Sequence, residues 1–391
     1  MDLYTPQFYD LVSRAFRGDV SSARLQMFLD DVMALKYNNL QLDGFDFASD
    51  MQLDYTYEQL QKELGITAMA SYYDVDSPAK PKAEQELTLA TGKIPRMKEV
   101  IFFNEDKVRK QLILERMLSQ NQIPAQAGEK LFETVDELIG RHTNALTYQR
   151  QQMVSRGKLT LDNKNNPDGT LQGVTFKAGV PLKNIKTLTG NAKFWTDKTY
   201  VKEGTEADPV AALSDWLEPI LDKGISGHLE VNEAYFRKFL RHSKVVKAIG
   251  ASLFPTSSEE QASGAASGLK VSQKTSILED LLDVPIKTIN SKTAILKYNS
   301  VSRKMEKDTV NAFEPDVFVF VPDGKIGEVL TVLPISTQDA SALVSTFYGG
   351  RLMLTVAMDA VTKCQGFYTE MTSLVVPNVP QYMYYFYPNE A

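Results

Sequence analysis

The stretch from Gly128 to Arg156 constrains this chain more than any other. Leu131, Val135, Leu138, Ile139, Ala145, Leu146 and Met153 recur at three- and four-residue spacing, the period of an α-helix. His142 falls on the same face. Glu133, Glu137, Arg141, Asn144 and Arg150 are expected on the opposite, solvated face. Gly157 supplies the residue at which such a helix ends, because glycine takes the left-handed conformation without strain. A strand over Lys158–Leu161, a polar turn over 162–169 and a return strand over Gly173–Phe176 follow.

The segments before this helix allow two readings each. Phe8, Leu11, Val12, Ala15 and Phe16 form one helical stripe, and Leu25, Phe28, Leu29, Val32 and Leu35 a second, capped by Ser21 or Ser22. They are either core helices or an arm that docks on a neighbour. Ala68–Tyr73 and Glu86–Ala90 are strand-like and flank a Pro/Lys-rich segment, Ser77–Glu84. That arrangement is either a long projecting β-hairpin or a linker. Val100–Phe103 reads as a buried strand, and residues 106–119 as a short charged helix.

Beyond the strand pair, Asp208 is placed to cap a helix with Pro209 at its first position and Val210, Leu213, Trp216, Leu217 and Leu221 inside. His228–Val231 reads as a strand leading to Asn232, the cap of a helix over Glu233–Arg241, and Val245–Ile249 continues the pattern. Residues 255–272 are rich in Ser, Gly and Ala and read as a flexible surface insertion. Short strands are expected over 286–289, 294–298, 317–321, 329–332, 351–357, 366–376 and 382–387. The alternation in Val317–Val321 marks a strand buried on both faces.

No constellation in the sequence carries a reaction. No glycine pattern makes a phosphate cradle, and no serine sits in a nucleophile elbow. The single cysteine, Cys364, permits neither an intramolecular disulfide nor a cysteine zinc cluster. His142, His228 and His242 lack metal-ligand spacing; His142 reads as a core histidine and His242 as complementing a helix C-terminus. Adjacent acidic pairs such as Asp30–Asp31 and Glu259–Glu260 read as solvated faces. Neither a cofactor nor a metal is expected. No apolar stretch is long enough to span a membrane and no signal peptide opens the chain, so synthesis in the cytoplasm is expected. The net charge of −6 over 391 residues argues against a protein whose main task is gripping free nucleic acid.

The order of elements, with four local motifs, resembles the major capsid proteins of tailed phages, closest in pattern to the lambda-type capsid protein E family with the Hong Kong 97 fold. The motifs are the junction Gln149–Leu161; Phe194-Trp195 followed by Asp208–Leu213; the strand-then-helix segment His228–Leu240; and Val317–Gly324. The resemblance runs from about residue 60 to the C-terminus. It implies an α+β fold with a helical N-terminal arm (1–50) and a peripheral domain (51–65, 100–207 and 346–391) built on the spine helix 128–156. An extended hairpin loop (66–99) would lie over a neighbour, and an axial domain (208–345) would carry the insertion at 255–272. It implies a structural, non-enzymatic protein that assembles into hexamers and pentamers of an icosahedral shell around DNA, built in the bacterial cytoplasm and ending in the virion. Portal, scaffold or decoration proteins would be partners, and duplex DNA a nonspecific neighbour. Lys80, Lys82, Lys93, Arg96 and Lys98 are the candidate intersubunit contacts, since they concentrate positive charge in a segment with little apolar area. Two other readings are an encapsulin-like compartment shell, sharing the fold, and an α/β enzyme using His142 or His242.

Overall fold

The computed structural model describes residues 42–60, 89–102, 125–167, 170–197, 199–290, 292–299, 304–334, 344–358 and 365–389. The two N-terminal helical stripes, most of the expected hairpin, the helix expected over 106–119 and Cys364 lie outside these residues.

In chain order the first strands are β1 (Phe45–Phe47), β2 (Thr56–Leu60), β3 (Leu89–Lys93) and β4 (Arg96–Phe102). The long helix α1 (Ala125–Arg156) follows, then β5 (Lys158–Leu161), β6 (Val174–Lys177) and β7 (Ile185–Thr187). Next come α2 (Pro209–Leu221), β8 (Gly227–Asn232), α3 (Glu233–Phe239), α4 (Ser243–Leu253), α5 (Glu259–Ser267), α6 (Val271–Leu282) and β9 (Ile286–Ile289). The remainder is β: β10 (Lys292–Asn299), β11 (Lys304–Asn311), β12 (Phe318–Pro322), β13 (Gly327–Val332), β14 (Val344–Phe347), β15 (Leu352–Met358), β16 (Gln365–Pro377) and β17 (Tyr384–Tyr387). The class is α+β, as expected.

Local chemistry accounts for the helix ends. Asp208 accepts hydrogen bonds from the Val210 and Ala211 amides at 3.1 and 3.2 Å, and Pro209 opens α2. Asn232 does the same for α3 through the Ala234 and Tyr235 amides. Gly157 ends α1 with φ +64°, and a side chain there would collide with Val180.

The chain packs as two compact units. The first takes residues up to 57, 92–147 and 328–375; the second takes 58–91, 148–327 and 376–391. Helix α1 therefore gives its residues through Thr147 to the first unit and the rest to the second. The expected domain limits instead grouped 148–207 and the last strand with the peripheral part. The difference has a topological cause: β17 inserts between β7 and β12, which ties the C-terminus to the second unit's sheet.

The first unit is a six-stranded sheet in the order β1-β13-β16-β15-β14, with β4 also paired to β16. Strand β16 is central, and its described side chains are buried on both faces except at Tyr368. Helix α1 covers one face. Val135, Leu138, Ile139 and Leu146 are buried there, Arg141 reaches Glu99 on β4 at 2.7 Å, and Thr143 meets Tyr348 at 2.8 Å. Fully burying each such aliphatic side chain stabilises by about 1.5–3 kcal/mol.

The second unit is a five-stranded sheet in the order β7-β17-β12-β8-β9. The middle pairs are antiparallel and the outer two, β8–β9 and β17–β7, are parallel. Leu229, Val231, Phe318, Phe320 and Phe386 alternate onto one face and pack with Trp216, Phe236, Phe239, Val245, Ile249 and Leu278 of the helices. The strand β12 is buried on both faces, as its composition implied.

Two expectations need correction. Residues 255–272 are not a flexible insertion: they hold α5 and the start of α6, with Ala262 and Ala266 buried. Gly250 of α4 makes this possible, since a Cβ there would sit 2.7 Å from the Ala262 backbone. His242 does not complement a helix C-terminus. The helix expected to reach Arg241 stops at Phe239, and His242 becomes the N-cap of α4.

Candidate assembly surfaces and internal charge networks

The five basic residues singled out in the sequence divide three ways. Lys80 and Lys82 lie outside the described residues. Lys93 and Lys98 are exposed. Arg96 is engaged within its own chain, in an ion pair with the buried carboxylate of Glu370. Strand geometry explains the split. On β4, Arg96, Lys98 and Val100 alternate onto one face, while Glu99 turns to α1 and pairs with Arg141. Register then sets Arg96 opposite Thr372 and Lys98 opposite Glu370, so Glu370 is a diagonal neighbour of Arg96. Tyr368 donates to the other Glu370 oxygen at 2.5 Å. The Glu370 carboxylate raises the Arg96 pKa, and burial followed by the same carboxylate raises that of Tyr368.

The three histidines have distinct settings. In the first unit, His142 Nε2 lies 2.9 Å from the Thr369 hydroxyl, at 1% exposure. Burial first, then the Arg141 charge, lowers its pKa to about 4, so it is neutral near pH 7. In the second unit, His242 Nε2 donates to the Phe194 carbonyl at 3.1 Å and Nδ1 accepts from the Lys244 amide at 3.3 Å. These contacts are structural: both rings are committed inside the fold. His228 sits at the rim of the second sheet, with Nδ1 3.2 Å from Asp323 and Nε2 3.5 Å from Glu230.

Glu230 anchors a buried charge network that sequence reading missed. It lies on β8 between Leu229 and Val231, facing away from their core. Arg150 donates to both of its oxygens, one at 2.7 Å, and neither side chain is more than 5% exposed. Burial pushes the Glu230 carboxyl up, but His228 and Arg150 outweigh it and hold it at about 2. Glu230 and Asp323 raise the His228 pKa. Arg150 was expected on the solvated face of α1, and this is corrected: it is four residues after Leu146 and three before Met153, hence on the buried stripe. That spacing was the available signal. Gln152 to the Ala312 carbonyl, Ser155 to the Glu314 amide, and Arg156 to the Glu314 carboxylate fasten the same helix end.

A cleft of about 310 Å³ in the second unit is lined by Glu233, Phe236, Arg237, Val271, Thr275 and Ile286. Its carboxylate and guanidinium are already paired at 2.5 Å. Among the described residues no group of three or more His, Cys, Asp or Glu is arranged to hold a metal. No helix among them is long and apolar enough to cross a membrane.

No family model matches the sequence, and no curated protein matches it. Solved structures do match in chain path. The putative capsid protein of a prophage of E. coli CFT073 is 12% identical, with a TM-score of 0.43 and 97% of each chain covered. The satellite phage P4 procapsid including its size determination protein is 12% identical, with a TM-score of 0.45 over 100% of this chain and 98% of that one. The SrpI encapsulin of Synechococcus elongatus PCC 7942 is 9% identical, with a TM-score of 0.33 over 87% and 84%. At these values the likeness is loose and carries no conclusion about function.

Proposed function

We propose that this chain is the shell-forming major capsid protein of a tailed phage. Many copies associate into hexamers and pentamers that close into an icosahedral head around duplex DNA. The protein acts structurally, assembles in the host bacterial cytoplasm and ends in the virion. Portal, scaffold or decoration proteins join it there.

The reading rests first on the resemblance in the order of sequence motifs. One observation in the fold supports it most. β2 and β3 pair with each other, which brings the two ends of segment 61–88 together where the resemblance implies a loop laid over a neighbour. The long helix α1, shared in sequence between two separately packed units, fits the role of a spine. Lys80, Lys82, Lys93 and Lys98 remain the proposed intersubunit contacts. Arg96 adds a constraint on that segment, since it holds β4 to the sheet through Glu370.

Negative-stain imaging of the purified protein tests the proposal. Closed particles of uniform diameter are expected, and nucleic acid rather than an enzyme is expected inside particles recovered from infected cells. Protein that stays monomeric at every concentration and salt tried, with portal and scaffold proteins supplied, would overturn it. Particles loaded with an enzyme would move the assignment to a compartment shell.

A further inference from the structure

Strands β10 and β11 form a two-stranded sheet of their own in the second unit. All eight positions of each strand are in register, from Lys292 opposite Asn311 to Asn299 opposite Lys304. No other described element packs substantially on either strand. Lys292, Ala294, Lys297, Glu306, Lys307, Asp308 and Thr309 are all exposed. An isolated two-stranded ribbon is at best marginally stable in water, so an ordered one needs a surface to lie on.

The register sorts the ribbon's charges by side. One side has Lys297 with the carboxylates Glu306 and Asp308. The other has Lys292 and Lys307 with Ala294 and Thr309, and no carboxylate among the described side chains. That second side suits an acidic partner.

Helix α2 of the same unit presents such a surface. Asp215, Glu218 and Asp222 recur at three- and four-residue spacing and are exposed, with Ala211 one turn earlier. Among the described residues these three carboxylates form no ion pair. The adjacent base, Lys223, is occupied elsewhere: its ammonium is 3.0 Å from the Tyr384 hydroxyl and lies over that ring.

Resting on the proposed shell function, we propose that the Lys292/Lys307 side of the ribbon docks on the Asp215/Glu218/Asp222 face of helix α2 in a second copy of this chain. The contact is heterologous, ribbon to helix, so each copy both gives and receives. Contacts of that kind close into rings when the rotation per copy allows. Duplex DNA is the weaker candidate, because this side offers the phosphates only two described lysines, few beside the several phosphate contacts that duplex binding rests on.

Three proteins test this alongside the parent: Lys292→Glu/Lys307→Glu, Asp215→Lys/Glu218→Lys, and the combination of all four. Each changes exposed residues only. Circular dichroism and melting should therefore match the parent. Each pair replaced should raise the concentration needed for assembly about tenfold, the reversal of two exposed ion pairs and the repulsion that replaces them. The fourfold variant, with charges exchanged, should regain parental assembly. Separately, Lys307→Cys with Glu218→Cys in a Cys364→Ser background should give a ladder of disulfide-linked multimers on oxidation, and neither cysteine alone should. The cysteine result stands even where a charge variant folds poorly.

If the parent assembles while the reversed variants assemble equally well, the docking proposal is wrong and the shell reading stands. The same holds if the exchanged variant stays dissociated, or if the cysteine pair yields only monomer. Normal assembly of Lys292→Glu/Lys307→Glu with reduced retention of duplex DNA would make the ribbon a DNA contact, which also overturns the proposal. A parent that never assembles removes both readings.

Discussion

Arg150 and Glu230 form a two-bond ion pair in which the carboxylate is fully buried and the guanidinium is 5% exposed. The pair joins the C-terminal half of α1 to β8 across the sheet face opposite the aromatic core of the second unit. Desolvating two charges costs several kcal/mol, and the attraction offsets this only with both partners present. Arg150→Met should therefore destabilise the second unit by about 3–5 kcal/mol, because Glu230 is left buried and unpaired. The double change Arg150→Met/Glu230→Met should cost much less than that. Urea unfolding of the parent, Arg150→Met, Glu230→Met and the double variant forms the cycle. Equal losses in the single and double variants would show that packing, not charge, dominates there.

Acid should act on this protein through two groups with the same sign. Glu230 has its pKa depressed from 4.5 to about 2 in the fold. Its stabilising contribution is full above pH 4.5 and is lost as the pH falls toward 2. His142 is depressed from 6.5 to about 4. The unfolded chain then binds the extra proton first, so stability drops as pH falls from 6.5 to 4, by on the order of 3 kcal/mol. His142→Gln should flatten the melting temperature between pH 6.5 and 4 relative to the parent.

His228 has the opposite sign. Glu230 and Asp323 raise its pKa, so its contribution is full below pH 6.5 and is lost as pH rises through the raised value. His228→Gln should remove a stability decline that sets in above pH 6.5 and, because His228 helps hold the Glu230 carboxyl down, should also move the acid-side loss to higher pH. Melting curves from pH 6 to 9 measure it, and an unchanged slope would show that the imidazole carries no charge there.

Leu138→Asp should abolish folding of the first unit. Leu138 is fully buried on α1 beside Val135 and Ile139. An unpaired carboxylate at that position costs several kcal/mol, comparable with a domain's whole stability. Soluble protein with the parent's melting behaviour would mean that the stripe is not a core.

Arg96 and Lys98 are two residues apart on β4 and should behave differently. Arg96→Gln removes the partner of buried Glu370 and should lower the melting temperature of the free subunit. Lys98→Gln, alone or with Lys80→Gln and Lys82→Gln, should leave the subunit's secondary structure and melting intact. It should lower the yield of closed particles and make that yield less sensitive to salt. Unchanged yield and salt response in the triple variant would end the electrostatic role of these lysines.

Gly250→Ala should cost about 1–3 kcal/mol, since the added methyl meets the Ala262 backbone at 2.7 Å and α4 and α5 must separate. Gly264→Ala, where nothing lies within 4 Å, is the control and should be neutral or slightly stabilising.

What the sequence alone determined here is what short-range physics controls. Asp208 and Asn232 cap their helices because a side-chain oxygen two or three residues away reaches orphan amides regardless of the rest of the fold. Gly157 ends α1 because the left-handed conformation is a property of that residue, and α1 itself was legible from its period. Long-range packing decided the rest. Residues 259–267 are helical although their composition is that of a loop, because Gly250 and Ala262 let two backbones meet. Arg96 is bound to Glu370, a carboxylate more than 270 residues further along the chain that only the pairing of β4 with β16 brings beside it. Arg150 is buried rather than solvated because β8 delivers Glu230 to it, and no local pattern records which carboxylate will be there. A charge enters a core only where a distant segment completes its desolvated shell, and the chain's path, not its local composition, makes that meeting.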